Sequence, residues 1–141
     1  MRCEEIMKRD IQCVSPVDAI EDAARLMRDE NVGFLPVCDE SRQVLGTITD
    51  RDITVRGVAE SLPGTTAVED VMTGELVACS EKDDLEVAQQ LMAENHKSRI
   101  VCLDSDGRLV GVISLSDLAQ IEEGGSASET LRQISEREIR T

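Results

Sequence analysis

The chain has 141 residues, of which 40% are hydrophobic, so it has enough apolar material for a folded core. Its formal net charge of −14 repels phosphate backbones and anionic lipids, so we expect neither nucleic acid nor a membrane as partner. No apolar run approaches the roughly 20 residues that span a bilayer, and the first residues lack the apolar core of a signal peptide, which predicts a cytoplasmic location.

The first predicted elements are a short extended segment, IQCVS at 11–15, and a helix that follows it. Ser15 has the features of an N-cap, because Asp18 stands three residues later and Pro16 suits the first helical turn. Apolar residues then recur at helical spacing, which predicts an amphipathic helix. These apolar positions are Ala19, Ala23, Leu26 and Met27.

Two strands and a second helix come next. The runs FLPVCD (34–39) and QVLGTIT (43–49) are rich in apolar and β-branched residues, and the polar turn between them predicts a hairpin. A helix is predicted in DRDITVRGVA (50–59). The order of elements is therefore β-α-β-β-α.

The same order of elements returns 65 residues later. An ungapped comparison of the chain with itself at this offset runs from Glu4 to Ile53, and it pairs Asp52 with Asp117. In the second copy the strands are SRIVCL and RLVGVIS, and the helix begins at LSDLAQI. A period of this length without a gap indicates a duplicated unit, and Ser80 with Asp83 repeats the first N-cap pattern.

We therefore predict an α+β fold made of two β-α-β-β-α repeats that pack against each other, since about 50 residues alone bury a sheet poorly. The repeats span 1–58 and 68–121, and the Pro/Gly/Thr-rich residues 59–67 link them. A tail at 122–141 is predicted to contain a short C-terminal helix from Ser126.

The two matching strand-to-helix turns allow two interpretations. Thr49 with Asp52, and Ser114 with Asp117, have the spacing of a capping box, so each turn can serve only to begin a helix. Such caps also occur elsewhere in this chain. On this interpretation the turns have no ligand.

The second interpretation is a ligand site. Gly46 and Gly111 lie inside predicted strands, where glycine often indicates a close approach of other backbone or of a ligand. A carboxylate after the strand accepts hydrogen bonds from a ribose diol, and a helix N-terminus favours phosphate. Arg51 adds a planar set of donors for phosphate oxygens in the first copy.

The runs LPVCDESRQVLGTITDRDI and RIVCLDSDGRLVGVISLSDL, 65 residues apart, resemble a tandem pair of CBS domains, the cystathionine-β-synthase-type module. The resemblance covers roughly residues 1–121. It implies two repeats related by a pseudo-two-fold axis, with two clefts that bind adenosine nucleotides or adenosyl compounds as regulatory ligands rather than cofactors. It also implies a homodimer.

The resemblance implies site residues in each copy. Asp52 and Asp117 would bind ribose, Arg51 would contact phosphate in the first cleft, and Ser116 replaces that arginine in the second. Residues of the opening strands would line the adenine, and basic residues before a strand would reach phosphates. The remaining candidates are Thr47, Thr49 and Ser114 beside the aspartates, Arg9, Ile11 and Leu76 in the opening strands, and His96, Lys97 and Arg99.

These features favour a stand-alone regulatory or sensor module that binds an adenosine-type nucleotide and signals to an effector protein. A dimerisation scaffold with empty clefts is the main alternative. A metal or redox sensor is another; it would resemble a hypoxia-induced stress protein that binds zinc through Cys and His, and Cys3 in the N-terminal segment could reach another thiol. The five widely spaced cysteines and the single histidine, His96, are more typical of buried free thiols than of a metal site. No nucleophile–base pair is recognisable, so we do not expect an enzyme.

Overall fold

The computed structural model describes residues 1–121, and the chain forms two compact units. The continuous unit is Gln12–Leu76, whereas the split unit combines Met1–Ile11 with the chain from Val77 onward. The predicted tail at 122–141 and its helix lie outside the described residues. Within residues 1–121, no helix is long and apolar enough to cross a membrane.

In the continuous unit, helix α1 (Ile20–Glu30) precedes an antiparallel hairpin of β1 (Phe34–Cys38) and β2 (Val44–Thr49). Helix α2 (Asp50–Asp52) follows directly and continues as a π turn (Ile53–Gly57) and a 3-10 turn (Val58–Glu60). The strands and the second helical segment are thus where the sequence predicts them. The core packs α1 on the hairpin with the buried residues Val14, Ile20, Ala23, Met27, Leu35, Val37, Ile48, Val68 and Val71.

The split unit contains a three-stranded sheet. Strand β3 (Ala78–Ser80) pairs in parallel with β4 (Arg99–Leu103), which pairs antiparallel with β5 (Leu109–Ser114). Helix α3 (Leu85–Asn95) connects β3 to β4, and α4 (Leu115–Ile121) follows β5. Its core contains Cys3, Met7, Cys79, Leu85, Ala88, Met92, Ile100, Cys102, Ile113 and Leu118. The architecture is α+β, as predicted.

In both units, a segment from elsewhere in the chain adds to the edge of the hairpin. Lys8 pairs with Val112 of β5 through two backbone hydrogen bonds of 3.0 Å. At the equivalent place, Thr73 pairs with Thr47 of β2 through bonds of 2.9 and 3.0 Å. The segment before the first repeat therefore packs on strands of the second, and the segment between the repeats packs on strands of the first.

These added segments explain the two glycines inside strands. A Cβ atom at Gly46 would collide with the carbonyl oxygen of Thr73. A Cβ atom at Gly111 would lie 2.9 Å from the carbonyl oxygen of Lys8 and 2.7 Å from the side chain of Met7. The close approach that the sequence indicates is thus made by the chain's own backbone.

The predicted start of the first helix is wrong by several residues. The Ser15 N–H donates to Asp18 Oδ2 at 2.9 Å, but this bond closes a separate turn, and α1 begins at Ile20 with extended Ala19 as its N-cap. The backbone groups that would continue the turn are bonded elsewhere. The Asp18 carbonyl accepts from Val68 N–H at 2.7 Å, and the Ile20 N–H donates to a carbonyl in the segment leading to Val68.

The second copy shows the same correction. The Ser80 N–H donates to Asp83 Oδ2 at 2.9 Å, whereas α3 begins at Leu85 with Asp84 as its N-cap. The Asp83 carbonyl accepts from Cys3 N–H at 2.9 Å, so it is not available to a helix. The predicted opening strand 11–15 is also reduced, to a single parallel bridge between Val14 and Val37.

Candidate functional site

The two turns after β2 and β5 are reciprocal capping boxes. At the first, Thr49 N–H donates to Asp52 Oδ2 and Asp52 N–H donates to Thr49 Oγ1, both at 3.1 Å. At the second, Ser114 N–H donates to Asp117 Oδ2 at 2.9 Å and Asp117 N–H donates to Ser114 Oγ at 3.3 Å. The capping interpretation is therefore correct for both. In each, the backbone bond holds one carboxylate oxygen, Oδ2, and fixes the direction of the other.

At the first turn, Asp52 is buried and has two side-chain neighbours. The Thr73 hydroxyl lies 3.3 Å from both carboxylate oxygens and donates to them, and Arg56 Nε lies 3.9 Å from Oδ1. Arg56 also donates to the Met72 carbonyl at 3.0 Å, which holds its guanidinium near the carboxylate. The Asp52 charge is therefore balanced within the continuous unit.

At the second turn, Asp117 has a different neighbour. Lys8 Nζ lies 3.7 Å from Asp117 Oδ1, and the Lys8 side chain is largely exposed. The hydroxyls of Ser114 and Ser116 are 2.9 Å apart and share a hydrogen bond. A carboxylate, two hydroxyls and an ammonium group thus meet at one surface of the split unit.

Lys8 and Thr73 occupy equivalent positions in the two repeats, 65 residues apart, and each contacts the turn aspartate of the hairpin on which it packs. Neither of these two residues, nor Arg56, was predicted from the sequence. A signal was available, because the 65-residue offset aligns Met7 with Met72 and therefore Lys8 with Thr73. The two sites have the same construction but different chemistry, an ammonium group in one and a hydroxyl in the other.

The predicted residues around Asp52 lie in the continuous unit. Arg51 is exposed at the start of α2, where its N–H donates to Asp50 Oδ1 at 2.8 Å. Thr47 is held by its backbone pairing with Thr73. Leu76 is half-buried at the end of the unit.

The predicted residues around Asp117 lie in the split unit. Arg9 donates to the Glu4 carbonyl at 3.1 Å, so its guanidinium turns back onto its own segment. Ile11 is half-buried at the end of that segment. Ser116 is exposed at the position that corresponds to the arginine of the first repeat.

The basic residues before β4 also belong to the split unit. His96 ends α3 in the left-handed conformation with φ of 53°, as Asn31 ends α1 with φ of 56°. Lys97 is exposed, and its N–H donates to a carbonyl of α3. Arg99 opens β4 as the register partner of Ser114. Their contact with a phosphate stays a prediction.

Metal binding has no support from the arrangement of side chains. Among residues 1–121, no group of three or more His, Cys, Asp and Glu side chains forms a site that could hold a metal ion. The five cysteines are free, and four of them are buried. Burial raises the pKa of the Cys38 thiol to about 12, so this thiol is protonated at neutral pH.

Comparison with known proteins identifies the protein family to which the chain belongs. The family model for the CBS domain matches residues 3–57 and again residues 68–124. The CBS domain-containing protein YhcV of Bacillus subtilis is 38% identical over 137 residues, which cover 96% of each chain.

Two solved structures show the same fold. The structure of Hypoxic Response Protein I with two coordinated zinc ions is 26% identical with a TM-score of 0.78, over 85% of this chain and 98% of that one. The CBS domain protein PAE2072 from Pyrobaculum aerophilum, complexed with AMP, is 23% identical with a TM-score of 0.76, over 84% and 90%.

Proposed function

Because the chain belongs to the CBS-domain family, with two domains in tandem, we propose that it is a regulatory module that binds adenosine-type nucleotides. One observation carries this proposal. Each turn aspartate has Oδ2 tied to a backbone N–H while Oδ1 has only side-chain neighbours, which a ligand hydroxyl can join or displace. The family resemblance and the AMP complex of PAE2072 agree with this choice of ligand.

Ribose is the part of the ligand that these turns suit best. Its two neighbouring hydroxyls are donors, and a carboxylate accepts two hydrogen bonds at once. The hydroxyls of Thr49 and Ser114 lie in the same turns and can exchange hydrogen bonds with the sugar. The aspartates therefore keep their capping role when the ligand is bound, because Oδ2 continues to accept from the backbone.

The two sites should differ in their preference for phosphate. The Asp52 site has two arginines, Arg51 and Arg56, within one helical turn of the aspartate, and planar guanidinium groups suit phosphate oxygens. The Asp117 site has Lys8 and the neutral Ser116. We propose that AMP favours the Asp52 site. The net charge of −14 makes ATP, with its larger negative charge, a poorer ligand than AMP.

The first test is a calorimetric titration of the purified protein with AMP, ADP, ATP, NAD and S-adenosylmethionine. We expect saturable binding with micromolar affinity and one or two ligands per chain. Asp52→Asn and Asp117→Asn should each weaken binding at one site about tenfold, because an amide accepts less strongly than a carboxylate. The Asn side-chain oxygen can still accept from the backbone N–H of Thr49 or Ser114, so the fold should be kept.

Asp18→Asn is the matched control. Asp18 closes a turn of the same form through its bond from Ser15 N–H, but it belongs to neither candidate site. It should leave nucleotide affinity unchanged. If the folded protein binds no ligand of the panel, the turns are helix caps only, and a dimerisation scaffold becomes the better interpretation.

The output of the module is proposed to pass through a homodimer and an effector protein in the cytoplasm. No catalytic step is proposed for it. Sedimentation velocity with and without AMP tests whether the protein forms a homodimer. A sedimentation coefficient of a monomer under both conditions would contradict the homodimer.

A further inference from the structure

Three thiols converge in the core of the split unit. Cys79 Sγ lies 3.7 Å from Cys3 Sγ and 3.7 Å from Cys102 Sγ. Cys3 Sγ also lies 3.9 Å from the Asp84 carbonyl oxygen, to which it donates only while it is a thiol. All three cysteines are at least 94% buried, with exposed fractions of 0% for Cys3 and Cys102 and 6% for Cys79. We call these residues the thiol cluster.

The backbones of the three cysteines are held in different ways. Cys79 and Cys102 are register partners on the parallel strands β3 and β4, so the sheet fixes their separation. Cys3 lies in the short 3-10 turn Cys3–Glu5, where its N–H donates to the Asp83 carbonyl at 2.9 Å and the Met1 carbonyl accepts from Leu85 N–H at 2.8 Å. Met1 and Arg2 are exposed, and a local opening that breaks these bonds would give a small oxidant access to Cys3 and let its sulfur approach Cys79.

The thiols also differ in acidity. Hydrogen bonds from the Cys102 and Cys79 thiols lower the pKa of the Cys3 thiol. The same network and burial raise the pKa of the Cys79 thiol, and that of the Cys102 thiol to about 12. The thiolate is the reactive form of cysteine, so Cys3 is the nucleophile of the cluster.

We propose that Cys3 and Cys79 form a reversible disulfide when the protein meets hydrogen peroxide, while Cys102 remains a thiol. The Cys3 thiolate attacks one peroxide oxygen and the O–O bond breaks, which leaves a sulfenic acid on Cys3 and, after protonation, one water. The Cys79 sulfur then attacks the Cys3 sulfur, the S–O bond breaks, and the leaving hydroxide takes the Cys79 thiol proton to give a second water. In sum, two thiols and one hydrogen peroxide give one disulfide and two waters.

The disulfide would tie the segment Met1–Ile11 to β3. This segment carries Lys8, whose backbone pairs with Val112 and whose ammonium lies beside Asp117. Oxidation would therefore fix the segment that supplies the cation of the Asp117 site. The formation of the bond does not depend on nucleotide binding, so it can be tested whether or not the proposed function holds.

Tryptic digestion can show which cysteines form the disulfide. Trypsin cleaves after Lys and Arg, and each of the five cysteines then falls in a different peptide. The fully reduced wild-type protein is treated with hydrogen peroxide, alkylated in denaturant and digested without reductant. The cysteine peptides are 3–8, 10–25, 29–42, 57–82 and 100–108.

The expected product is peptide 3–8 joined to 57–82, with 100–108 alkylated, and the link should disappear after dithiothreitol. A link between 57–82 and 100–108 would overturn the proposal. So would full alkylation of peptides 3–8 and 57–82 at a peroxide dose that oxidises Cys13. These outcomes are measured on the wild-type protein, so they do not depend on whether a variant folds.

Two variants of matched chemistry add a kinetic test. Cys3→Ser should leave Cys79 alkylated after peroxide treatment and lower the rate of sulfenic acid formation, followed with a dimedone probe, at least tenfold. Cys13→Ser removes a half-buried thiol outside the cluster and should change neither result. A dimedone adduct that forms on Cys79 in Cys3→Ser as fast as sulfenic acid forms in the wild type would show that Cys79, not Cys3, is the nucleophile and would overturn the mechanism.

Discussion

The close contact at Gly46 gives the sharpest prediction for stability. Gly46→Ala places a Cβ against the carbonyl oxygen of Thr73, and that atom belongs to backbone rather than to a flexible side chain. The carbonyl accepts from Thr47 N–H at 3.0 Å, and the reciprocal bond is 2.9 Å long. To accept alanine, the added segment must move and strain both bonds.

The size of the effect follows from three contributions. Overpacking a buried position costs about 1–3 kcal/mol. Weakening the two hydrogen bonds overlaps with this cost, since each contributes about 0.5–1.5 kcal/mol. Alanine also restricts the unfolded chain, which returns about 0.4–1 kcal/mol. The net loss in the free energy of unfolding should be about 2 kcal/mol.

Gly74→Ala is the control, because a Cβ at Gly74 has no atom within 4 Å and the residue follows Thr73 directly. It should be neutral or slightly stabilising. Both variants are compared with the wild type by urea unfolding monitored by circular dichroism. If Gly46→Ala unfolds at the same urea concentration as Gly74→Ala, the segment around Thr73 does not pack on β2 as described.

Three further predictions concern single side chains. Asp117→Ala should lower the free energy of unfolding by about 1 kcal/mol through loss of the hydrogen bond from Ser114 N–H, and Asp117→Asn by less; equal losses in urea unfolding would contradict the role of Asp117 in the capping box. Because burial raises the pKa of the Cys38 thiol, iodoacetamide at neutral pH should alkylate the half-buried Cys13 before it alkylates Cys38. Mass spectrometry that shows Cys38 alkylated before Cys13 would refute this. The Lys82 ammonium, 2.9 Å away, lowers the pKa of the Glu4 carboxyl, so this pair stabilises the fold above the ordinary carboxyl pKa and is lost on acidification through the lowered value. Glu4→Gln should therefore reduce the dependence of the melting temperature on pH in the acidic range, and an unchanged dependence would contradict it.

The strands and the duplication could be predicted from the sequence for a simple physical reason. Apolar and β-branched runs bounded by polar turns specify a hairpin locally, and β1, β2, β4 and β5 lie within one residue of their predicted bounds. The capping boxes at Asp52 and Asp117 are local as well, because each involves residues three apart. These features were therefore visible without knowledge of the fold.

Other features depend on contacts between residues that are distant in the chain, and they were not predicted from the sequence. The first helix starts late because the Asp18 carbonyl bonds to Val68, which is 50 residues away. The convergence of Cys3, Cys79 and Cys102 depends on where the first segment packs. The neighbours of the two aspartates were missed for the same reason. The repeat predicted the turns, but the partners of the turns come from segments that lie outside the hairpins.

The missed neighbour Lys8 leads to a prediction about ligand charge. At about 5 Å, removal of one exposed positive charge weakens attraction to a phosphate by about 1 kcal/mol at a dielectric constant close to that of water, which is about fivefold in affinity. In an Asp52→Asn background, where the Asp52 site is weakened about tenfold, Lys8→Thr should lower the affinity of the Asp117 site for AMP by this factor. Adenosine, which has no phosphate, should bind as before.

The ratio of AMP to adenosine affinity is the quantity to measure, because it separates the local charge from any general change in the fold. Lys82→Thr in the same background is the matched control. It removes the same charge from an equally exposed lysine of the same unit, where the partner is Glu4 and not Asp117. An equal change of the ratio in both variants would mean that AMP senses only the net charge of the protein. A change confined to Lys8→Thr would instead attribute the difference in charge between the two sites to this position, which is lysine in the first copy and threonine in the second.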